Sequence, residues 1–177
     1  MSPGGLPDAP AGEEDRRVRT RRDSWVKTAL WLLVLLNLAA IFYFSAQPGP
    51  ESSRQSRRVA EAAARVLVDG FEGLPAKDQA AHIARIHFPV RKAAHFLLFA
   101  ALGFLLLLAL SRHPLPRARR ILLAALACVI YAVLDEAHQS LVPERSFTLL
   151  DILLDTGGSL LGMALSFLVP SARRAGG

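Results

Sequence analysis

The chain has 177 residues, 52% of them hydrophobic, and its 21 Lys and Arg outnumber 15 Asp and Glu for a formal net charge of +6. That length allows one compact domain. The surplus of positive charge does not mark a nucleic-acid binder: mean hydropathy is +0.31, and the basic residues fall in short segments between long apolar runs, as they do where a chain sets its orientation against anionic lipid.

Residues 1–24 are rich in Pro, Gly, Asp, Glu and Arg and read as a disordered, basic tail. The apolar run 25–44 follows Arg16, Arg17, Arg19, Arg21 and Arg22. It is too long for the ~7–15-residue core of a signal peptide, and cleavage after Ala46 would set bulky Phe44 where a small residue is wanted, so it reads as a retained first span. Pro48-Gly49-Pro50 ends that helix.

The segment 45–92 between the first two spans then shows helical periodicity. Val59, Ala63, Val66, Leu67 and Gly70 recur on one face, with Arg54, Arg57, Arg58, Glu61 and Arg65 elsewhere. A second short helix is expected over 77–87, closed by Pro89. This amphipathic segment either caps the bundle or lies on lipid headgroups.

Further apolar runs cover 93–110, 121–142 and 149–169, with Pro114, Pro116, Pro143 and Pro170 at their boundaries. The lone cysteine, Cys128, lies inside the third run. It can form no internal disulfide and belongs to no Cys-x-x-Cys pair, so it reads as core packing. The expected fold class is an all-α integral membrane protein. It comprises a four-helix transmembrane bundle over 25–169, an amphipathic helical segment between spans 1 and 2, and a short tail, 170–177.

The N-terminal tail, the turn with Arg112, Arg117, Arg119 and Arg120, and the C-terminal Arg173 and Arg174 alternate with segment 45–92 and the turn at Glu144-Arg145. The positive-inside pattern puts both termini in the cytoplasm. The polar residues then converge. The first helix ends outside at Ser45-Ala46-Gln47, and the second begins there with Lys92 and His95. The third ends with Asp135, Glu136, His138 and Gln139, and the fourth begins with Asp151 and Asp155. All four spans bring polar groups to the outer end.

Helical spacing places Lys92, His95, Phe99 and Gly103 on one stripe, and Asp151, Asp155, Gly158 and Gly162 on another. The Gly158-x-x-x-Gly162 face suits close helix packing, within the bundle or in a homodimer. Cys128, Tyr131, Asp135 and His138 share a face of the third span, while Glu136 points about 100° away. Charges near the bilayer need partners or water, so the cluster is either a buried salt-bridge network or a polar pocket opening outward. The groups exceed what neutralisation requires, which favours the pocket. Asp135, Glu136 and His138 are the candidates for acid–base chemistry. Asp135 and His138 with Asp151 and His95 are alternatively conceivable metal ligands, but His-Glu-x-x-His is absent, and no metal or cofactor is assigned.

The run Leu134-Asp135-Glu136-Ala137-His138-Gln139, followed by Arg145, Asp151, Gly158 and Gly162, resembles the VanZ-like family. So do Phe44-Ser45-Ala46-Gln47 and Lys92-Ala93-Ala94-His95-Phe96. The resemblance covers residues 30–168. It departs at Glu144, where members usually carry Gly, and at Asp155, where Asn is common. It implies a protein of the bacterial cytoplasmic membrane, in a family whose founding member is associated with reduced teicoplanin susceptibility.

The resulting expectation is a site that binds an amphiphilic envelope ligand, a lipid-linked precursor or a lipoglycopeptide, and so contributes to glycopeptide tolerance. Ser45, Gln47, Lys92, His95, Asp135, Glu136, His138, Gln139, Arg145, Asp151 and Asp155 form that site, with membrane lipids around it and no nucleic-acid partner. A membrane-embedded enzyme on a lipid-linked substrate, and a small transporter or complex subunit, are the alternative expectations.

Overall fold

The computed structural model describes residues 11–169. It is all-helical over that range, in the order α1 (Ala11–Ser45), α2 (Gly49–Leu67), a 3-10 turn (Phe71–Gly73), α3 (Ala76–Ser111), α4 (Arg117–Gln139) and α5 (Leu149–Ser166). Four of these helices, α1, α3, α4 and α5, are long and apolar enough to cross a membrane.

Each span buries one narrow stripe and exposes the rest. On α1, Val34, Ile41 and Ser45 are buried while Leu32, Leu35, Leu36, Phe42 and Tyr43 are exposed; α4 likewise exposes Leu122, Leu126 and Ile130 around buried Ala124, Cys128 and Ala132. In water such a surface would drive association. In a bilayer the hydrocarbon chains cover it, and small buried residues let the helices approach closely. The core runs through Phe99, Leu102, Leu106 and Leu107 of α3 and Met163 of α5. The Tyr131 hydroxyl donates to the Leu38 carbonyl at 2.9 Å, tying α4 to α1.

The tightest seam is α3 on α5. A Cβ built on Gly158 would meet the Phe96 carbonyl carbon at 3.2 Å, and one on Gly162 would lie 2.6 Å from that of Ala100; Gly103 faces the Ser159 backbone in the same way. The Gly158/Gly162 face is thus spent inside the bundle.

The helix boundaries differ from the sequence reading in four places. First, α1 extends through residues 11–24, read above as disordered. Arg and Glu are good helix formers, and the apolar span supplies the nucleus that an isolated segment lacks. Residues 1–10 and 170–177 lie outside the described residues.

Second, Pro89 does not close a helix but sits within α3. Its ring costs one backbone hydrogen bond, and packing on either side holds the helix together. Third, the spans read as 121–142 and 149–169 stop as helices at Gln139 and Ser166.

Fourth, α2 buries a different face from the one expected. Gly49, Ser52, Ser56, Ala60 and Ala64 are buried, whereas Val59, Val66 and Leu67 are 57%, 83% and 74% exposed. Small residues allow a close approach to α3, and Ala60 and Ala64 join Phe71 and Ile83 in a second core. At ~1.5 Å per residue, the 36 residues of α3 far exceed the ~30 Å of hydrocarbon. Its C-terminal half threads the bundle, and its N-terminal half carries α2.

Candidate functional site

The chain reversals place three helix ends and the middle of α3 together. α1 ends at Ser45, α4 ends at Gln139, α5 begins after Thr148, and α3 passes alongside at Lys92 and His95. Between them lies a cavity of about 350 Å³ lined by Arg91, Lys92, His95, Gln139, Arg145, Asp151 and Asp155, with Phe88, Leu150 and Leu154 as apolar wall and Glu144, Ser146 and Thr148 from the α4–α5 loop.

Asp135, 4% exposed, stands behind this wall. Ser45 Oγ and Gln139 Nε2 each donate to its Oδ2 at 2.8 Å. Gln139 passes the network on, because its Oε1 accepts from Arg145 Nη1 at 2.9 Å. The same Nη1 reaches the Ser45 carbonyl at 3.3 Å, where α1 has ended and left its last carbonyls free.

Arg145 Nε and Nη2 are buried and find no partner among the described residues. Burial first, and neighbouring Arg91 second, pull this guanidinium below its ordinary pKa, while Asp135, Glu136 and Asp151 pull the other way.

Glu136, one residue on from Asp135, faces a different neighbour, as the helical repeat requires. It accepts the Thr148 backbone N–H at 2.6 Å, setting a carboxylate at the N-terminus of α5. Lys92 Nζ pairs with Asp151 Oδ1 across the α3–α5 seam. Lys92 Nζ and Arg91 Cζ also sit 5.3 and 5.5 Å from the Phe88 ring centroid.

Of the residues singled out from sequence, Lys92, His95, Gln139, Arg145, Asp151 and Asp155 line the cavity. Ser45, Asp135 and Glu136 support them from behind. His138 is elsewhere: its ring stacks on Phe42 at 4.7 Å, and it is not on the cavity wall. Gln47 has no hydrogen bond to the network among the described residues. The Asp135/Glu136/His138 trio therefore does not converge on one point.

Arg91, Phe88 and Thr148 are cavity residues that sequence reasoning passed over. Arg91 and Phe88 fall on the turns of α3 preceding Lys92, and the uninterrupted helix through Pro89 carries them there.

Glu144 has φ 62°, the left-handed region that glycine adopts without cost. The glycine that the VanZ-like resemblance leads one to expect at this position would take it without strain. Glu144 also packs against Gly49, whose Cβ would meet Glu144 Cβ at 3.1 Å, and Gly49 N–H donates to the Pro143 carbonyl at 3.4 Å.

The VanZ/LLP1 family model matches residues 30–170. The chain belongs to the VanZ/LLP1 family. That match takes in most of the first span, the other three spans and the whole cavity, and makes this a VanZ-like membrane protein. No curated protein and no solved structure shows a significant match.

Proposed function

We propose that this VanZ-like protein binds the anionic headgroup of an amphiphilic envelope ligand in a pocket that opens on the outer face of a bacterial cytoplasmic membrane. A lipid-linked precursor and a lipoglycopeptide both have the required chemistry. Both termini lie inside on this reading, which rests on the positive-inside pattern.

The observation that carries the proposal is Arg145. Its Nη1 is held in place by Gln139 and Ser45, while Nε and Nη2 are buried without partners among the described residues. A fixed guanidinium with an unpaired edge suits phosphate or carboxylate, which it takes in bidentate fashion once the loop moves enough to uncover that edge. Leu150, Leu154 and Phe88 offer apolar surface beside it for the start of a tail.

The test is binding of a fluorescent polyprenyl diphosphate, and separately of labelled teicoplanin, to protein in nanodiscs. Charge-assisted hydrogen bonds contribute ~1.5–3 kcal/mol, so Arg145→Ala is expected to weaken binding by roughly 10- to 150-fold. Arg145→Lys keeps the charge without the fork and is expected to recover only part. Equal affinity in wild type and Arg145→Ala would remove the basis of the proposal. Ser45 is fully buried and cannot meet a substrate as a nucleophile.

A further inference from the structure

The floor of the cavity contains a grouping outside the headgroup contacts above. His95, Asp135 and Asp155 each bring one ligand atom within 4.8 Å of the others. They come from three different helices, α3, α4 and α5, so bundle assembly and not local sequence creates the grouping.

Asp155 is 3% exposed, lines the cavity, and its carboxylate has no hydrogen-bond donor among the described residues. Ser159 Oγ donates to its backbone carbonyl, not to its carboxylate. Asp135 is half supplied: both of its donors fall on Oδ2, which leaves Oδ1 without one. The His95 ring likewise has no hydrogen bond among the described residues. Three ligand-capable groups, two of them almost wholly buried, thus face each other without satisfying each other.

Charge points the same way. The four carboxylates here are Asp135, Glu136, Asp151 and Asp155, and the cations set among them are Lys92 and Arg145. Lys92 is tied to Asp151. With Arg145 set against one more, two carboxylates remain without a paired cation, and buried groups of that kind either hold a proton or take a counterion. Arg91, a third cation on the cavity wall, makes no ion pair with them among the described residues.

We propose that His95, Asp135 and Asp155 form a binding site for one divalent transition-metal ion, Zn²⁺ or Mn²⁺. One imidazole and two carboxylates suit these ions better than Mg²⁺ or Ca²⁺, which prefer oxygen alone. Ligand distances of ~2.0–2.2 Å bring the three atoms together with small side-chain adjustment. Because Asp155 borders the cavity, the ion keeps positions open toward it for water or an anionic group. The Ser45 and Gln139 bonds to Asp135 then act as the outer shell that orients a ligand. This site does not depend on the amphiphile reading, and its test uses metal alone.

Purified full-length protein in detergent is stripped with chelator, loaded with Zn²⁺ or Mn²⁺, desalted and analysed for bound metal. About one equivalent per chain is expected. Asp155→Asn, which keeps shape and removes the charge, is expected to weaken binding by about tenfold or more. Glu144→Gln, a carboxylate of the same cavity outside the trio, is expected to leave it unchanged. Absence of bound metal in wild type, or equal losses in the two variants, would overturn the proposal.

A second measurement needs no variant. X-ray absorption of the zinc-loaded wild type is expected to show a nitrogen and oxygen shell containing one imidazole at about 2.0–2.1 Å. An oxygen-only shell, or two or more imidazoles, would equally overturn it. The trio would then be a histidine–carboxylate ion cluster.

Discussion

Replacing Gly162 with alanine tests the α3–α5 seam that positions the cavity. The added Cβ would lie 2.6 Å from the Ala100 carbonyl carbon and 3.0 Å from its Cα, and closer still to the carbonyl oxygen. All three are backbone atoms, so no side chain can rotate away and the helices themselves must part. Overpacking of this kind costs typically ~1–3 kcal/mol, against a helix-propensity gain of ~1 kcal/mol for Gly→Ala.

Gly157→Ala is the matched control. It gains the same propensity, and its Cβ meets only Phe96 Cε2 at 3.9 Å, an ordinary contact. Thermal unfolding in one detergent should therefore separate the two variants in sign. Gly162→Ala should melt below wild type, and Gly157→Ala at or slightly above it. With ~2–4 °C per kcal/mol for a chain of this size, a gap of about 5 °C between them is expected. Coincident melting curves would show that α3 and α5 are not in backbone contact at Gly162, and the placement of the cavity residues on that seam would go with it.

Four further outcomes follow from the same geometry. Glu144→Gly should raise stability by about 1 kcal/mol, since it relieves a left-handed backbone position; an unchanged or lower melting temperature would contradict that. Ser45→Ala removes one of the two donors to buried Asp135 and should cost ~1–3 kcal/mol, read from the same melts. Tyr131→Phe should cost about 1 kcal/mol, the worth of a single bond to the Leu38 carbonyl. For the orientation, Ser53→Cys should react with an impermeant thiol reagent from outside while Arg117→Cys stays protected, both in a Cys128→Ala background; labelling of Arg117→Cys from outside would invert the topology.

Hydropathy alone made the four spans legible, because a bilayer leaves few alternatives to a long apolar helix. The clustering of polar residues at one bundle end was also legible, since it follows from counting which end of each span carries them. Partner choice was not. Asp135 and His138 are three apart and share a nominal face, yet Asp135 turns to Ser45 while His138 stacks on Phe42. A helical wheel gives direction about one axis and says nothing of which neighbour lies there.

The α2 face was misread for a related reason. Periodicity ranks Val59 and Val66 above Ser52, Ser56 and Ala60, but close contact with α3 selects for small residues over hydrophobic ones. Pro89 was read as a stop because local propensity disfavours it, and tertiary packing on both sides overrode that preference.

The seam and the loop divide the cavity into two walls of different character. The α3–α5 wall carries Lys92, His95, Asp151 and Asp155 on helices whose backbones nearly touch at Gly158 and Gly162. Their relative register is therefore set by packing that a ligand cannot shift without separating two helices. The opposite wall, residues 140–148, has no helix of its own. It is held to the bundle by the Gly49–Pro143 backbone bond, the Glu136–Thr148 bond and the Arg145 contacts to Gln139 and Ser45. Two of these three fastenings end on side chains from the Asp-Glu-x-His-Gln run. That run thus acts mainly as the anchor for the loop that presents Arg145, and less as a row of groups facing a ligand. Mutating Glu136 should then loosen the position of Arg145 without removing a ligand contact, so any loss of binding should appear as a faster off-rate, with the metal content of the His95/Asp135/Asp155 trio unchanged.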